Sequence, residues 1–242
     1  MRILNKKMIV SFGLLLFIKP MAHADLTFSP VQLYISGERD QRSTTATLNT
    51  KGEKSDRTYE VSVFRWSQDD AGNEVLTPDH ELVVNPKALV LKPDGNRVIR
   101  FGFRKSIESM NLTQEATWRV KFTEIPSALQ KTGMSIALNF SVPVFVGSGF
   151  QPDVAFYIKN DANKNNVLHI KNSGTAHFQL TKFNIQDEAG KVLKEVETMK
   201  YVLPKREVTI PLDGLDISSK KLKLVIQDAA KKDSPIYDIM GL

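Results

Sequence analysis

The sequence has 242 residues, of which 41% are hydrophobic and 25% are charged, and its formal net charge is +6. These values are typical of a globular protein, so they exclude a fibrous repeat or a chain that is disordered throughout. Because the chain contains no cysteine, thiol redox chemistry, disulfide bonds and cysteine metal sites are excluded as well.

Residues 1–24 have the pattern of a secretory signal peptide. A basic start at residues 2–7 precedes an uncharged apolar stretch at residues 8–18, and residues 22–24 provide a small-x-small cleavage site. The apolar stretch is about half of the roughly 20 residues that a membrane span needs. We therefore expect export, cleavage before Asp25 and no membrane insertion of the mature chain, the alternative being an uncleaved anchor.

The net charge depends on this leader, which holds four of the 33 basic residues and no acidic residue. The mature chain would have 29 basic and 27 acidic residues, which is a net charge of only +2. A charge this close to zero gives no general footprint for nucleic acid, so a nucleic-acid partner is not expected.

Period-two alternation of apolar and polar residues dominates the first part of the mature chain and predicts strands. Turn-forming sequences at residues 70–73, 85–86 and 92–95 separate these segments. The predicted strands are residues 26–35, 43–49, 59–66, 88–91, 98–103, 117–123 and 134–146. Seven short strands in about 120 residues predict an antiparallel β-sandwich.

A second series of strands follows a predicted hinge at Gly147-Ser148-Gly149. Its predicted strands are residues 154–159, 167–172, 177–186, 192–198, 207–211 and 221–227. We therefore expect an all-β chain with two domains in tandem, residues 25–147 and a smaller sandwich at residues 148–242.

Catalytic and metal-binding patterns are missing from the mature sequence. Its histidines are His80, His169 and His177, and no two of them have the spacing of a helical metal site. There is no G-x-S-x-G elbow, phosphate loop or H-E-x-x-H zinc motif. We therefore predict no catalytic residue, no metal and no cofactor, which argues against an enzyme.

The predicted strand at residues 134–146 carries a continuous row of large apolar side chains, which we call the ridge. The ridge consists of Met134, Ile136, Leu138, Phe140, Val142 and Val144. Pro143 lies within this strand and cannot donate a ladder hydrogen bond, so the strand is expected at the edge of a sheet. An exposed apolar edge is a template for a partner's strand. An ordinary core strand is the alternative that the pattern leaves open.

Two segments beside the ridge resemble the periplasmic pilus chaperones of the chaperone–usher pathway. Glu115 followed by the aromatic strand Trp118-Arg119-Val120-Lys121-Phe122-Thr123-Glu124-Ile125-Pro126 resembles the family signature, and the ridge comes next, as in that family. Leu91-Lys92-Pro93-Asp94-Gly95 resembles the family's turn before a strand, and Asn172-Ser173-Gly174 with Phe178 resembles a second-domain feature.

The resemblance implies two immunoglobulin-like β-sandwich domains in an L-shaped, boomerang arrangement. It also implies that the ridge strand completes the fold of a pilus subunit (pilin) by donor-strand complementation. The chaperone then delivers the subunit to an outer-membrane usher without nucleotide. Self-association of the free protein through the exposed strand is left open.

This sequence departs from the family at the positions that hold the subunit's terminal carboxylate. The family has a basic residue on the first strand and another late in the ridge strand, where this chain has Gln32 and Pro143. Since arginine is well suited to hold a carboxylate, we take Arg100 and Arg119 as candidate replacements, the alternative being that both are solvent-facing strand charges.

A secreted β-sandwich adhesin or carbohydrate-binding module is the alternative function. It would need aromatic side chains clustered on one exposed face or loop. Both tryptophans, Trp66 and Trp118, fall within predicted strands. The pilus-chaperone interpretation is therefore favoured.

Overall fold

The computed structural model describes residues 25–126, 137–215, 217, 221–227 and 234–240. The predicted signal peptide lies outside these residues, and so do Met134 and Ile136, the first two members of the ridge. Within the described ranges, no helix is long and apolar enough to cross a membrane.

Strands dominate the described chain, which confirms the all-β prediction. The strands are β1 (Asp25–Ser29), β2 (Leu33–Ile35), β3 (Ser43–Lys51), β4 (Arg57–Gln68), β5 (Glu74–Pro78), β6 (Leu82–Asn85), β7 (Ala88–Leu91), β8 (Asn96–Phe103), β9 (Ala116–Ile125), β10 (Phe140–Val146), β11 (Val154–Asn160), β12 (Asn166–Asn172), β13 (Phe178–Gln186), β14 (Val192–Val202), β15 (Arg206–Pro211), β16 (Leu222–Ile226) and β17 (Ile236–Met240). Single 3-10 turns lie at Glu38–Asp40 and Glu108–Met110. Three short strands, β5, β6 and β17, were not predicted.

The first ten strands form two sheets that face each other across one core. One sheet has the order β1-β3-β8-β6, and the other has the order β2-β10-β9-β4-β5 with β7 paired to β4. Alternate side chains of both sheets point inward, so Leu48 and Phe101 of the first sheet meet Trp118 and Phe122 of the second in one buried cluster. This is the sandwich that the alternation predicted.

The segment predicted as one strand at residues 26–35 is two strands in different sheets, which corrects that prediction. β1 pairs with β3 in the first sheet, whereas β2 pairs in parallel with β10 in the second. The chain crosses between the sheets at residues 30–32, beginning with a cis Ser29-Pro30 bond. Since β1 stays in the other sheet, β2 covers only part of the length of β10.

The remaining seven strands form one sheet in the order β14-β13-β16-β17-β11-β12-β15. The two end strands, β14 and β15, lie close to each other, so the sheet curls around its own core. That core contains Phe156, Leu168, Phe183 and Leu224, each at most 1% exposed. The first two sheets therefore end at Val146, and the third begins at Val154.

Candidate functional site: an open strand edge and the domain junction

β10 is covered on one side along its whole length but on the other side along only half of it. Antiparallel pairing with β9 runs from Phe140 to Val146. Parallel pairing with β2 is limited to Val144–Val146. Within the described part of the chain, no strand pairs with Phe140–Pro143 on the β2 side. This half of β10 is an open edge.

The hydrogen-bonding groups at this open edge follow from the alternation along β10. The Gly147 N–H donates to the Ile35 carbonyl of β2 at 3.0 Å. Because alternate residues of a strand point their N–H groups to the same side, the N–H groups of Asn139 and Ser141 also point to that side. Pro143 has no N–H to offer there. Asn139 and Ser141 are therefore the residues that can pair with an added strand.

The ridge differs along its length in how much of it a partner can reach. Val142 and Val144 are 3% and 0% exposed, and they pack in the core of their own sandwich together with Val146. Side chains already buried in this way are not available to a partner in this conformation. The reachable part of the ridge is therefore shorter than the sequence predicted.

Phe140 and Leu138 are the described ridge residues that are not fully buried in that core. Phe140 is partly buried, stacks on Phe122 with ring centroids 4.7 Å apart, and contacts the rings of Phe28 and Tyr59. Leu138 is 41% exposed. Within the described residues, β10 begins at Phe140, and residues 137–139 precede it without strand pairing.

Arg100 and Arg119 do not come together, which corrects their interpretation as a joint carboxylate anchor. In β8, Ile99 and Phe101 point into the core, so Arg100 points outward from the first sheet and donates to Ser43 Oγ at 2.9 Å. In β9, Trp118 and Val120 point into the core, so Arg119 points outward from the second sheet. Side chains on opposite outer faces of a sandwich cannot hold one carboxylate.

Arg119 is also not a solvent-facing strand charge. Its side chain is 12% exposed, and Nη2 forms an ion pair with Glu74 at 2.8 Å. The guanidinium lies 3.9 Å from the ring centroid of Trp66 and 5.2 Å from that of Tyr201, a residue of β14. Arg119 therefore contributes to the contact between the two domains through cation–π interactions.

Gln68 forms the most buried polar contact between the domains. It is 5% exposed, its Nε2 donates to the Tyr201 carbonyl at 2.8 Å, and its Oε1 accepts from the Leu203 N–H at 2.9 Å. Around it, Trp66, Phe145, Tyr201 and Leu203 form a small apolar cluster drawn from both domains. Gln68 at the end of β4 and Phe145 of β10 are thereby held against β14.

A second set of polar contacts crosses the junction beside β2. Gln32 Nε2 donates to Gln179 Oε1 at 2.6 Å and to the Tyr201 hydroxyl at 2.9 Å, so this side chain bonds across the junction. The Tyr34 hydroxyl donates to Gln32 Oε1 at 2.9 Å. Burial, together with the charge of Glu115 and the nearby Tyr201, raises the pKa of Tyr34.

Glu115, the acid before the aromatic strand β9, also bonds across the junction. Glu115 Oε2 lies 2.6 Å from His177 Nδ1 and accepts the His177 backbone N–H at 2.9 Å. The His177 ring stacks on Phe145 of β10 with centroids 3.5 Å apart. Both side chains are mostly buried, with exposures of 12% for His177 and 9% for Glu115. Glu115 and His177 thus tie the base of the β10 strand to the second domain.

Gln68→Ala is expected to lower the thermal midpoint of unfolding. The change leaves the Tyr201 carbonyl and the Leu203 N–H buried without their partner, and such a loss costs about 2–6 kcal/mol for two groups. Differential scanning calorimetry measures the midpoint, with Gln151→Ala as the control because Gln151 is exposed. Equal midpoints for the two variants would show that Gln68 does not stabilise the junction.

Sequence reasoning did not identify the junction residues Gln68 and Tyr201. Neither belongs to a motif. The two residues are 133 positions apart in the sequence, and their contact depends on how two distant strands pack. A weak signal was present in β4, where Trp66 and Gln68 stand on the outward face of a strand that alternates. A large aromatic side chain on an outward face indicates a further layer, here the second domain.

Comparison with known proteins gave matches among solved structures only. No family model matches the chain, and no curated sequence matches it. One similar structure is a chain of the chaperone–tip adhesion subunit complex CsuC–CsuE from archaic chaperone–usher pili of Acinetobacter baumannii, with 19% identity and a TM-score of 0.64 over 89% of this chain and 98% of that chain.

Two further structures have the same fold. The CupB2 chaperone of Pseudomonas aeruginosa has 12% identity and a TM-score of 0.58 over 88% of this chain and 100% of that chain. A chain of the Salmonella enterica complex of the SafA pilin with the SafB chaperone has 12% identity and a TM-score of 0.57, with 90% and 96% covered. These likenesses confirm the two-domain β fold that the sequence predicted.

Proposed function

We propose that this chain, which has the two-domain fold of the pilus chaperones, is a periplasmic chaperone that captures pilus subunits by accepting them at the open edge of β10. The observation that carries the proposal is the half-covered β10, where main-chain groups of Asn139 and Ser141 face no strand in the described chain and Leu138 is exposed. A subunit strand added there continues the second sheet. Delivery to an outer-membrane usher is part of the proposal.

The apolar ridge supplies the affinity of this capture. Four of its members remain for a partner once Val142 and Val144 are assigned to the core, namely Met134, Ile136, Leu138 and Phe140. At roughly 1.5–3 kcal/mol for each fully buried side chain, they give a gross gain of at most about 6–12 kcal/mol. Association and ordering reduce this gain, and the main-chain ladder fixes the register.

The alternative, a carbohydrate-binding module or adhesin, has no comparable support. Such a module stacks exposed aromatic rings on its ligand, whereas Trp66 and Trp118 are 2% and 0% exposed. Both indoles are engaged by arginines, Trp66 by Arg119 and Trp118 by Arg65. We therefore retain the chaperone as the single proposed function.

The proposal is tested by isolating the protein from the periplasm of its host with a tag placed at the C-terminus. We expect a small exported β-rich subunit to co-purify in a roughly equimolar amount and to be identified by mass spectrometry. A control preparation carries Val98→Asp, which adds a charge on the outward face of β8, where Val98 is 59% exposed. This variant should capture the subunit as the wild type does. A monomeric chain that carries no protein partner would contradict the proposal.

A further inference from the structure

The segment just before β10 is held to β9 by side chains instead of by a backbone ladder. The Leu138 N–H donates to Glu124 Oε2 at 2.7 Å, and the Glu124 N–H donates to Asn139 Oδ1 at 2.9 Å. We call this reciprocal pair of bonds the bracket.

The bracket stands where the next ladder bonds between β9 and β10 would stand. The register pairs Phe140 with Phe122, so two residues further along each strand Leu138 would face Glu124. In a regular antiparallel pair, the N–H of each of these residues would donate to the other's carbonyl. Here each N–H has a side-chain oxygen as its acceptor. The Leu138 N–H therefore points to β9, as the alternation along β10 requires.

Glu124 is itself held in place by an ion-pair chain. Arg57 Nη1 lies 2.8 Å from Glu124 Oε2, and Arg57 Nε lies 2.8 Å from Glu53 Oε1. The side chains are mostly buried, with exposures of 13% for Glu124, 21% for Arg57 and 10% for Glu53. Burial lowers the pKa of Arg57, but the hydrogen bond to Glu53 and the charges of Glu124 and Glu53 outweigh it and raise that pKa. The carboxylate that accepts the Leu138 N–H is thus held in place by its ion pair with Arg57.

We infer that Glu124, fixed by Arg57, is a positioning residue for capture: the bracket holds Leu138 and Asn139 in place before a subunit arrives. This inference rests on the proposed function. A segment that is already fixed loses less conformational freedom on binding, so the bracket favours association. Charge-assisted hydrogen bonds are strong enough for this task at a partly exposed site.

The first test uses the free, full-length mature protein and needs no partner. Hydrogen exchange of the backbone amides is followed by NMR in the wild type, in Glu124→Ala and in Glu124→Gln. We expect the Leu138 amide to exchange at least about tenfold faster in Glu124→Ala, since its acceptor is removed. Glu124→Gln keeps an acceptor oxygen and should restore part of the protection, while the Val142 amide stays unchanged in both variants.

A matched control is Glu60→Ala on the neighbouring strand β4. Glu60 is exposed, and its side chain makes no hydrogen bond or ion pair among the described residues. The same loss of charge at Glu60 should leave the exchange of Leu138 unchanged. Equal exchange of the Leu138 amide in wild type and in Glu124→Ala would overturn the inference that the bracket holds Leu138 in place.

The second test measures association with the subunit that co-purifies in the pull-down, diluted from denaturant into the chaperone. We expect Glu124→Ala to associate about tenfold more slowly, with Glu124→Gln intermediate and Glu60→Ala unchanged, all measured at a temperature at which circular dichroism shows each variant to be folded. An unchanged association rate in Glu124→Ala would overturn the positioning role. Failure of the proposed function is distinguishable, because the wild type would then capture no subunit, and the inference would fall with it.

Discussion

Replacing Leu138 with Asp is expected to abolish subunit capture and to leave the free protein folded. The side chain is 41% exposed, so a charge there remains solvated in the free protein. In a complex the same charge would be buried against an apolar partner, in addition to the loss of about 1.5–3 kcal/mol of apolar burial. Capture should fall by at least about a hundredfold, because each 1.4 kcal/mol is tenfold in affinity.

Co-purification and circular dichroism measure the two halves of this prediction. Val98→Asp is the control, since it places the same charge on an exposed valine of the other sheet. It should be folded and fully active in capture. If Leu138→Asp captures the subunit as well as Val98→Asp does, then the reachable ridge is not the binding surface. If Leu138→Asp unfolds the protein, then Leu138 belongs to the core.

Replacing Val144 with Asp is expected to unfold the first domain. Val144 belongs to the same ridge as Leu138, but it is 0% exposed and packs in the closed core. An unpaired carboxylate at such a site destabilises a domain by more than about 4 kcal/mol, which is a large share of the usual total. Urea unfolding followed by tryptophan fluorescence measures the loss, since Trp118 lies in the same core.

Ser141→Asp is the matched control for this second variant. Ser141 is on β10 as well, but its side chain is exposed on the outward face, and its substitution should change the free energy of unfolding by no more than about 0.5 kcal/mol. A Val144→Asp protein with a wild-type urea midpoint would show that this part of the ridge is not core. The pair Leu138 and Val144 thus separates the two interpretations that the alternation left open.

The strands of both domains could be predicted from the sequence because their alternation is local. The turn at residues 70–73 and the turn at residues 92–95 lie between the strands that they were expected to separate. Short strands such as β6 carry too few residues for a period of two to stand out. The division of the first strand between two sheets depends on which distant strands it pairs with, and alternation does not encode that choice.

The candidate site could be predicted only in part. A period of two shows that Val142, Val144 and Leu138 share one face, but the same pattern arises whether that face meets the chain's own core or a partner. Burial in the folded chain decides it. Likewise, Arg100 and Arg119 were grouped by charge, whereas the sheets place them on opposite faces. Glu124 lies in the segment that resembles the family signature, but its bonds to Arg57 and Leu138 depend on contacts across the fold.

The central claim is that a subunit adds a strand to the open edge of β10, and hydrogen exchange of the purified complex tests it most directly. The N–H groups of Asn139 and Ser141 point to that edge and should become at least about tenfold more protected when the subunit is bound. The Val142 N–H points to β9 and should keep the protection that it has in the free protein. A bound subunit that leaves Asn139 and Ser141 exchanging as in the free protein would contradict strand addition at this edge.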